Sequence, residues 1–135
     1  MSELRMVAAC VLVDSDGRVL LTKRPEGKLL AGLWEFPGGK MEAGESPEAC
    51  LCRELNEELG IDVTISCLAP LTFASHFYEE EDFRVLLLVY LCMRWEGIVR
   101  AMEGQEMRWV AVRDLNKYEM PAADVSLQAR LRDWL

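Results

Sequence analysis

Apolar residues follow two different periods along this chain. Val7 to Val13 and Val19 to Lys23 are almost continuously apolar and rich in β-branched residues, and Asp14-Ser15-Asp16-Gly17 between them is a run of turn formers. The pattern predicts an opening hairpin. A polar loop, Arg24 to Gly32, leads to the short alternating strand Leu33-Trp34-Glu35-Phe36, which Pro37-Gly38-Gly39 halts. From Ser46 the period changes. Ser46-Pro47 offers a cap and a first-turn proline, Leu51, Cys52, Leu55 and Leu59 fall on one helical face, and Gly60 stands where a left-handed terminating residue belongs. A helix of about three and a half turns is predicted, with Ala49 to Leu59 at helical spacing. Strands are predicted at Val63 to Leu68, Phe83 to Trp95 and Met107 to Val112, and a second helix at Ala123 to Trp134. The order β-β-β-α-β-β-β-α predicts an α/β fold, a mixed β-sheet with helices packed on its faces. With 135 residues and neither repeat nor linker, one domain over 1–135 is expected.

The longest nearly pure apolar run, Val85 to Met93, is far short of the roughly 20 residues that cross a bilayer. Only Arg5 precedes the apolar stretch Met6 to Val13, and Asp14-Ser15-Asp16 follows where a secretory cleavage site would need small residues. Five cysteines without C-x-x-C spacing read as free thiols in a reducing compartment, so a cytoplasmic location is expected. Cys50 and Cys52 do not make a zinc pair, because His76 is the only histidine.

Charge alters the picture in one segment. The chain carries 15 basic and 23 acidic residues, a net charge of −8, and residues 41–83 hold one basic residue, Arg53, against eleven acidic ones. Binding a nucleic acid polymer calls for a basic face, so this segment argues against it and favours cations. On the first helix, Glu54, Glu57 and Glu58 crowd one arc, since positions three and four apart are neighbours. Arg53 cannot neutralise three carboxylates; a divalent ion can, and all-oxygen ligands suit Mg²⁺ or Mn²⁺. A solvated acidic face is the plain alternative for any such cluster. Here Gly38-Gly39-Lys40 on a strand end and the turn Gly44-Glu45 lead straight into the helix, where bare backbone can approach a ligand.

Gly39, Glu45 and Arg53-Glu54-Leu55-Asn56-Glu57-Glu58-Leu59-Gly60-Ile61, at the spacing G-x5-E-x7-R-E-U-x-E-E-x-G-U with U apolar, resemble the Nudix box without departure over 23 residues. The resemblance implies the Nudix α/β/α sandwich and hydrolysis of a nucleoside diphosphate linked to another group. It further implies that Glu54, Glu57 and Glu58 ligate the metal with the backbone carbonyl of Gly38, that Arg53 orients those carboxylates, and that Glu45 braces the loop. A nucleotide-sensing module on the same scaffold would be the non-enzymatic alternative, but such modules usually carry a broken box.

Trp34 to Lys40, Arg94-Trp95-Glu96-Gly97, Glu103-Gly104-Gln105 and Met120 to Asp124 resemble, in order and spacing, the MutT-like branch that sanitises nucleoside triphosphates. That narrower resemblance implies a nucleoside triphosphate substrate cleaved to monophosphate and pyrophosphate, with Glu103 a further metal ligand or base and Arg24 a contact to the nucleobase. Lys40 and Gly39 are expected at the phosphates, and Phe36, Tyr78 and Phe83 are aromatic candidates for stacking, with Trp34 a weaker one. Glu57, Glu58 and Glu103 are alternative general bases. MutT itself has an asparagine where this chain has Asp124, at the residue that reads the base, while relatives that prefer cytosine nucleotides resemble this sequence in the Ala31 to Phe36 stretch and in this aspartate. An ionised aspartate only accepts hydrogen bonds, whereas asparagine also donates. Oxidised guanine (8-oxo-dGTP) and cytosine nucleotides are therefore both candidates, capping of the last helix is the structural alternative for Asp124, and monomer and homodimer both remain open.

Overall fold

The computed structural model describes residues 3–27 and 31–135. In chain order the elements are β1 (Glu3–Leu12), β2 (Val19–Lys23), β3 (Trp34–Glu35), β4 (Gly38–Lys40), α1 (Pro47–Leu59), β5 (Ala69–Tyr78), β6 (Phe83–Cys92), β7 (Met107–Val110) and α2 (Ala122–Trp134), with short 3-10 helices at Ile65–Cys67 and Val112–Lys117. A four-stranded mixed sheet has the order β4-β1-β6-β5, in which only β1 and β6 run parallel, and a three-stranded antiparallel sheet has the order β3-β2-β7.

From Ala8 to Leu12 both faces of β1 are buried. Ala9, Val11 and Val13 pack with Leu87 and Val89 of β6 and with Leu127 and Leu131 of α2. Ala8, Cys10 and Leu12 pack with Tyr90, Cys92 and the Leu51, Leu55 and Leu59 face of α1. A strand covered by a helix on each side has no solvent face to leave polar, which is why β1 and β6 read as unbroken apolar runs. The predicted α/β architecture with helices on opposite faces is present.

Helix α1 has the predicted ends. The Ser46 hydroxyl accepts from the Ala49 N–H at 3.1 Å, and Gly60, at φ 69°, donates to the Asn56 carbonyl at 3.0 Å.

Four expectations are corrected. The opening strands do not form a hairpin: Val13 and Val19 share one bridge, after which β1 and β2 diverge into different sheets. Continuous apolar runs do not specify their pairing partner, and β1 is claimed by β6 over ten residue pairs. Val63 to Leu68 is not a strand: the Cys67 N–H bonds the Thr64 carbonyl at 2.9 Å and the Leu68 N–H the Ile65 carbonyl at 3.0 Å, closing a 3-10 turn beside which the Thr64 hydroxyl reaches Ser66 and Cys67. The strand there is β5, hidden in the sequence by Pro70 and its polar residues; it is an edge strand with a bulge between Pro70 and Thr72, where proline is tolerated. Gly38 and Gly39 do not end strand structure but form β4. The predicted strands from Phe83 and Met107 end early, at Cys92 and Val110. Part of the predicted polar loop, 28–30, lies outside the described residues.

Candidate active site

The outward ends of β1 and β6, β4, the start of α2 and the loop after β6 enclose a cleft of about 430 Å³. Its floor is Val7, Ala9, Val85 and Leu87, on the α2 side of the central strands. One end is acidic and the other holds aromatic rings and Asp124.

At the acidic end, strand register carries the geometry. Ala8 pairs with Gly39 and Ala9 with Gly38, so β4 lies flat on β1. Gly38 has φ 150°, and a Cβ there would run into the Ala8 carbonyl oxygen. Gly39 has no left-handed conformation to excuse it; instead, a Cβ would fall 2.6–2.8 Å from the Glu54 carboxylate. The missing side chain of Gly39 is the space in which Glu54 sits.

Arg53 organises the carboxylates around that space. It holds Glu45 through two bonds, Nε to Oε2 at 2.8 Å and Nη2 to Oε1 at 2.9 Å, and its Nη1 binds Glu54 at 2.7 Å and Glu57 at 3.5 Å. The Arg53 guanidinium and the Glu42 N–H, at 2.9 Å, hold the Glu45 carboxyl down at about 2. Glu58 shows the opposite: burial, the adjoining Glu54 carboxylate, and the charges of Glu35 and Glu103 push its carboxyl up to about 9. Two carboxyls in mutual contact at a partly dry site can both ionise only beside a cation. The donor set is all oxygen, and it fits a hard divalent ion. Among the described residues no three acidic side chains converge on one point: Glu54, Glu58 and Glu103 line the cleft, while Glu57 is 56% exposed and lies against Arg53. Glu103 is brought across from Glu58 by the loop, since the Glu58 carbonyl accepts from the Met102 N–H and the Gln105 side chain, both at 3.0 Å.

Asp124 is buried at the other end, 6% exposed. It is not the helix cap: Pro121 holds that position, and the acid lies in the first turn of α2. Desolvation, followed by the charge of Glu35, pushes its carboxyl up to about 8, against the pull of the Phe36 backbone and Arg24. Burial therefore favours the protonated acid, with one donor and one acceptor, over the acceptor-only carboxylate that its residue type suggests.

Among the other predicted residues, Arg24 lines the cleft and pairs with Glu35 at 3.0 Å, and Lys40 lies at the rim, 3.5 Å from Glu3. Phe36 and Phe83 are each 3% exposed and form wall rather than free platforms, although both reach the cleft. Tyr78 stacks on Phe83 at 5.0 Å. Trp34 stands outside the lining, edge-on to Tyr118 at 5.4 Å. Among the polar lining residues, sequence reasoning missed five: Arg5, whose guanidinium lies 4.0 Å over the Phe83 ring, Thr22, Lys23, Glu35 and Gln105. Glu35 was findable, as the one charged residue in the alternating Trp34-Glu35-Phe36 strand; Arg5 carried no signal.

A family model described as the NUDIX domain matches residues 8–130. A CTP pyrophosphohydrolase of Escherichia coli is 36% identical over 127 residues, covering 94% of this chain and 90% of that protein. An 8-oxo-dGTP diphosphatase of the same organism is 34% identical, covering 93% and 95%. The crystal structure of a MutT NUDIX hydrolase from Burkholderia pseudomallei superposes with a TM-score of 0.83 at 31% identity, covering 94% of this chain and 97% of that one. Nudix hydrolases generally need a divalent metal, and the acidic end of the cleft has the donors for one. On its box, its fold and these relatives, the chain belongs to the Nudix family.

Proposed function

We propose that this protein is a nucleoside triphosphate pyrophosphohydrolase that clears oxidised or modified nucleotides, 8-oxo-dGTP foremost, from the cytoplasmic pool, yielding a nucleoside monophosphate and pyrophosphate. The observation that carries the reading is the continuity of the cleft, from the Glu54–Glu58 pair at one end to the buried Asp124 at the other. Glu54 and Glu58, with Glu57 and the Gly38 carbonyl, would hold Mg²⁺, for which Mn²⁺ could substitute. Such an ion polarises the phosphoryl oxygens and lowers the pKa of the attacking water. Arg53 keeps Glu54 aimed at the cleft. Lys40 and the Gly39 backbone face the phosphates. Glu103 lines the cleft and makes no ion pair among the described residues, which supports it over Glu57, paired with Arg53, as the base for the attacking water.

A neutral Asp124 also accounts for two kinds of base. The N7–H and O6 of 8-oxoguanine present a donor beside an acceptor, and so do the N4 amine and N3 of cytosine. Ordinary guanine offers only acceptors at N7 and O6. A carboxylic acid complements the first two and not the third. Phe83 and Phe36 wall the base, and Arg24 is held beside it by Glu35. The test is pyrophosphate release with Mg²⁺ from 8-oxo-dGTP, dGTP, dCTP, 5-methyl-dCTP and ADP-ribose. Preference for 8-oxo-dGTP or a cytosine nucleotide over dGTP supports the reading; ADP-ribose as the best substrate overturns it.

A further inference from the structure

Tyr78 points away from the role that its residue type suggests. Its ring is already engaged: stacked on Phe83 at 5.0 Å with a 25° interplanar angle, and edge-on to His76 at 4.7 Å, while the Arg5 guanidinium lies over the Phe83 ring at 4.0 Å. Its hydroxyl accepts a hydrogen bond from the backbone N–H of Ala123 at 3.2 Å.

That bond falls at a place where the helix lacks one. The first N–H groups of a helix have no partner within it and are usually satisfied by a capping side chain. Helix α2 begins at Pro121, which has no side chain able to cap. The N–H groups of Asp124 and Val125 reach the Pro121 carbonyl at 2.9 and 3.1 Å. Ala123 is 3% exposed, so without Tyr78 its N–H would be buried with nothing to bond. The cap comes from β5, 45 residues earlier in the chain. Asp124 is the next residue, and one peptide unit separates the anchored N–H from the Cα that carries its carboxyl.

We propose that Tyr78 is a positioning residue for nucleobase selection: its hydroxyl, fixed by the stack on Phe83, pins the first turn of α2 and so sets where the Asp124 carboxyl meets the base. This rests on the reading of Asp124 as the base-contacting group. The hydroxyl touches neither phosphates nor the acidic end, so it acts on discrimination and on KM, not on the chemical step.

The test compares wild type, Tyr78→Phe, Asp124→Asn and the double variant, using kcat/KM for 8-oxo-dGTP and for dGTP. Tyr78→Phe keeps the ring and the stack and removes only the hydroxyl. A neutral hydrogen bond of this kind supports a 3- to 10-fold effect, roughly. The selectivity ratio should fall by that factor through KM, with kcat for 8-oxo-dGTP within twofold of wild type. In the Asp124→Asn background the same change should move the ratio by less than twofold, because the group that it positions has been replaced. Amide exchange at Ala123 should accelerate in Tyr78→Phe while the β1 and β6 amides stay protected, which reads the lost cap independently of activity. An unchanged ratio in Tyr78→Phe, with Asp124→Asn shifting it strongly, overturns the positioning role and leaves the base pocket standing. An unchanged ratio in both single variants overturns the pocket reading and this inference with it. Equal, additive losses in the two backgrounds would show that Tyr78 acts on its own account and also overturn it.

Discussion

Replacing Gly39 by alanine separates metal geometry from folding. The added Cβ would sit 2.6 Å from the Glu54 carboxyl carbon and 2.7 and 2.8 Å from its oxygens, where ordinary contact begins at 3.4 Å. The carboxylate must therefore retreat by about 0.7 Å, and its 2.7 Å bond to Arg53 must be strained or lost with the movement. A catalytic group displaced by about 1 Å can cost on the order of 10²-fold, so kcat should fall between about 10- and 100-fold. Stability should barely change, because the backbone at Gly39 suits any residue and what must give is a side-chain tip. Gly38→Ala is the contrasting control. Its Cβ meets the backbone of Ala8, and its φ of 150° disfavours a side chain, so β4 must part from β1 at a cost of about 2–5 kcal/mol. The assay is Mg²⁺-dependent pyrophosphate release together with thermal melts of both variants, with and without Mg²⁺. Gly39→Ala should keep its apo midpoint and lose the Mg²⁺-induced rise. Activity within threefold of wild type would refute the placement of Glu54, and a midpoint as low as that of Gly38→Ala would refute the separation of site from scaffold.

Glu57→Gln should lower turnover by at least about 10²-fold, as removal of a group supporting metal electrostatics does, with the fold retained; near-normal activity would leave Glu57 only as a partner of Arg53. Mg²⁺ should raise the thermal midpoint, since it binds only the assembled carboxylates. Glu58 is held neutral up to about 9 and must lose its proton to bind, so the rise should be larger at pH 8.5 than at 6.5; a pH-independent rise would place the ion elsewhere. Asp124→Asn probes the buried acid. In the unfolded chain that carboxyl ionises near 3.9, approximately, while in the folded protein it holds its proton to about 8. The unfolded state thus binds fewer protons between those values, and the contribution to stability falls as pH rises through the window, by at most about 1.4 kcal/mol per pH unit. The asparagine variant should gain on wild type from pH 5 to 8 and gain no more above it; parallel stability curves would mean that Asp124 is ionised throughout.

The acidic end of the cleft was legible because it is local. Gly39, Glu45, Arg53, Glu54 and Glu58 come from one stretch of strand, turn and helix, and helical spacing alone puts the glutamates together. The far end was legible only in part. Asp124 could be named from the sequence, but its protonation depends on burial and on Glu35, 89 positions earlier, which no local pattern reports. The same holds for Tyr78: an aromatic near a nucleotide site reads as a stacking platform until its hydroxyl is found on Ala123. The division into two sheets was hidden because apolar runs buried on both faces carry no alternation to fix their partners. Strand β4 was read as a stop because glycine and proline break strands on average, whereas here the glycines admit the Ala8 backbone and the Glu54 carboxylate.

The most direct test of the pyrophosphohydrolase reading is to identify the phosphorus-containing products of 8-oxo-dGTP hydrolysis by ³¹P NMR, with Mg²⁺ and with excess chelator. Equal amounts of nucleoside monophosphate and inorganic pyrophosphate, formed only with the ion and suppressed in Gly39→Ala, are the expected result. Orthophosphate with a nucleoside diphosphate, or the same products in the presence of chelator, would contradict it.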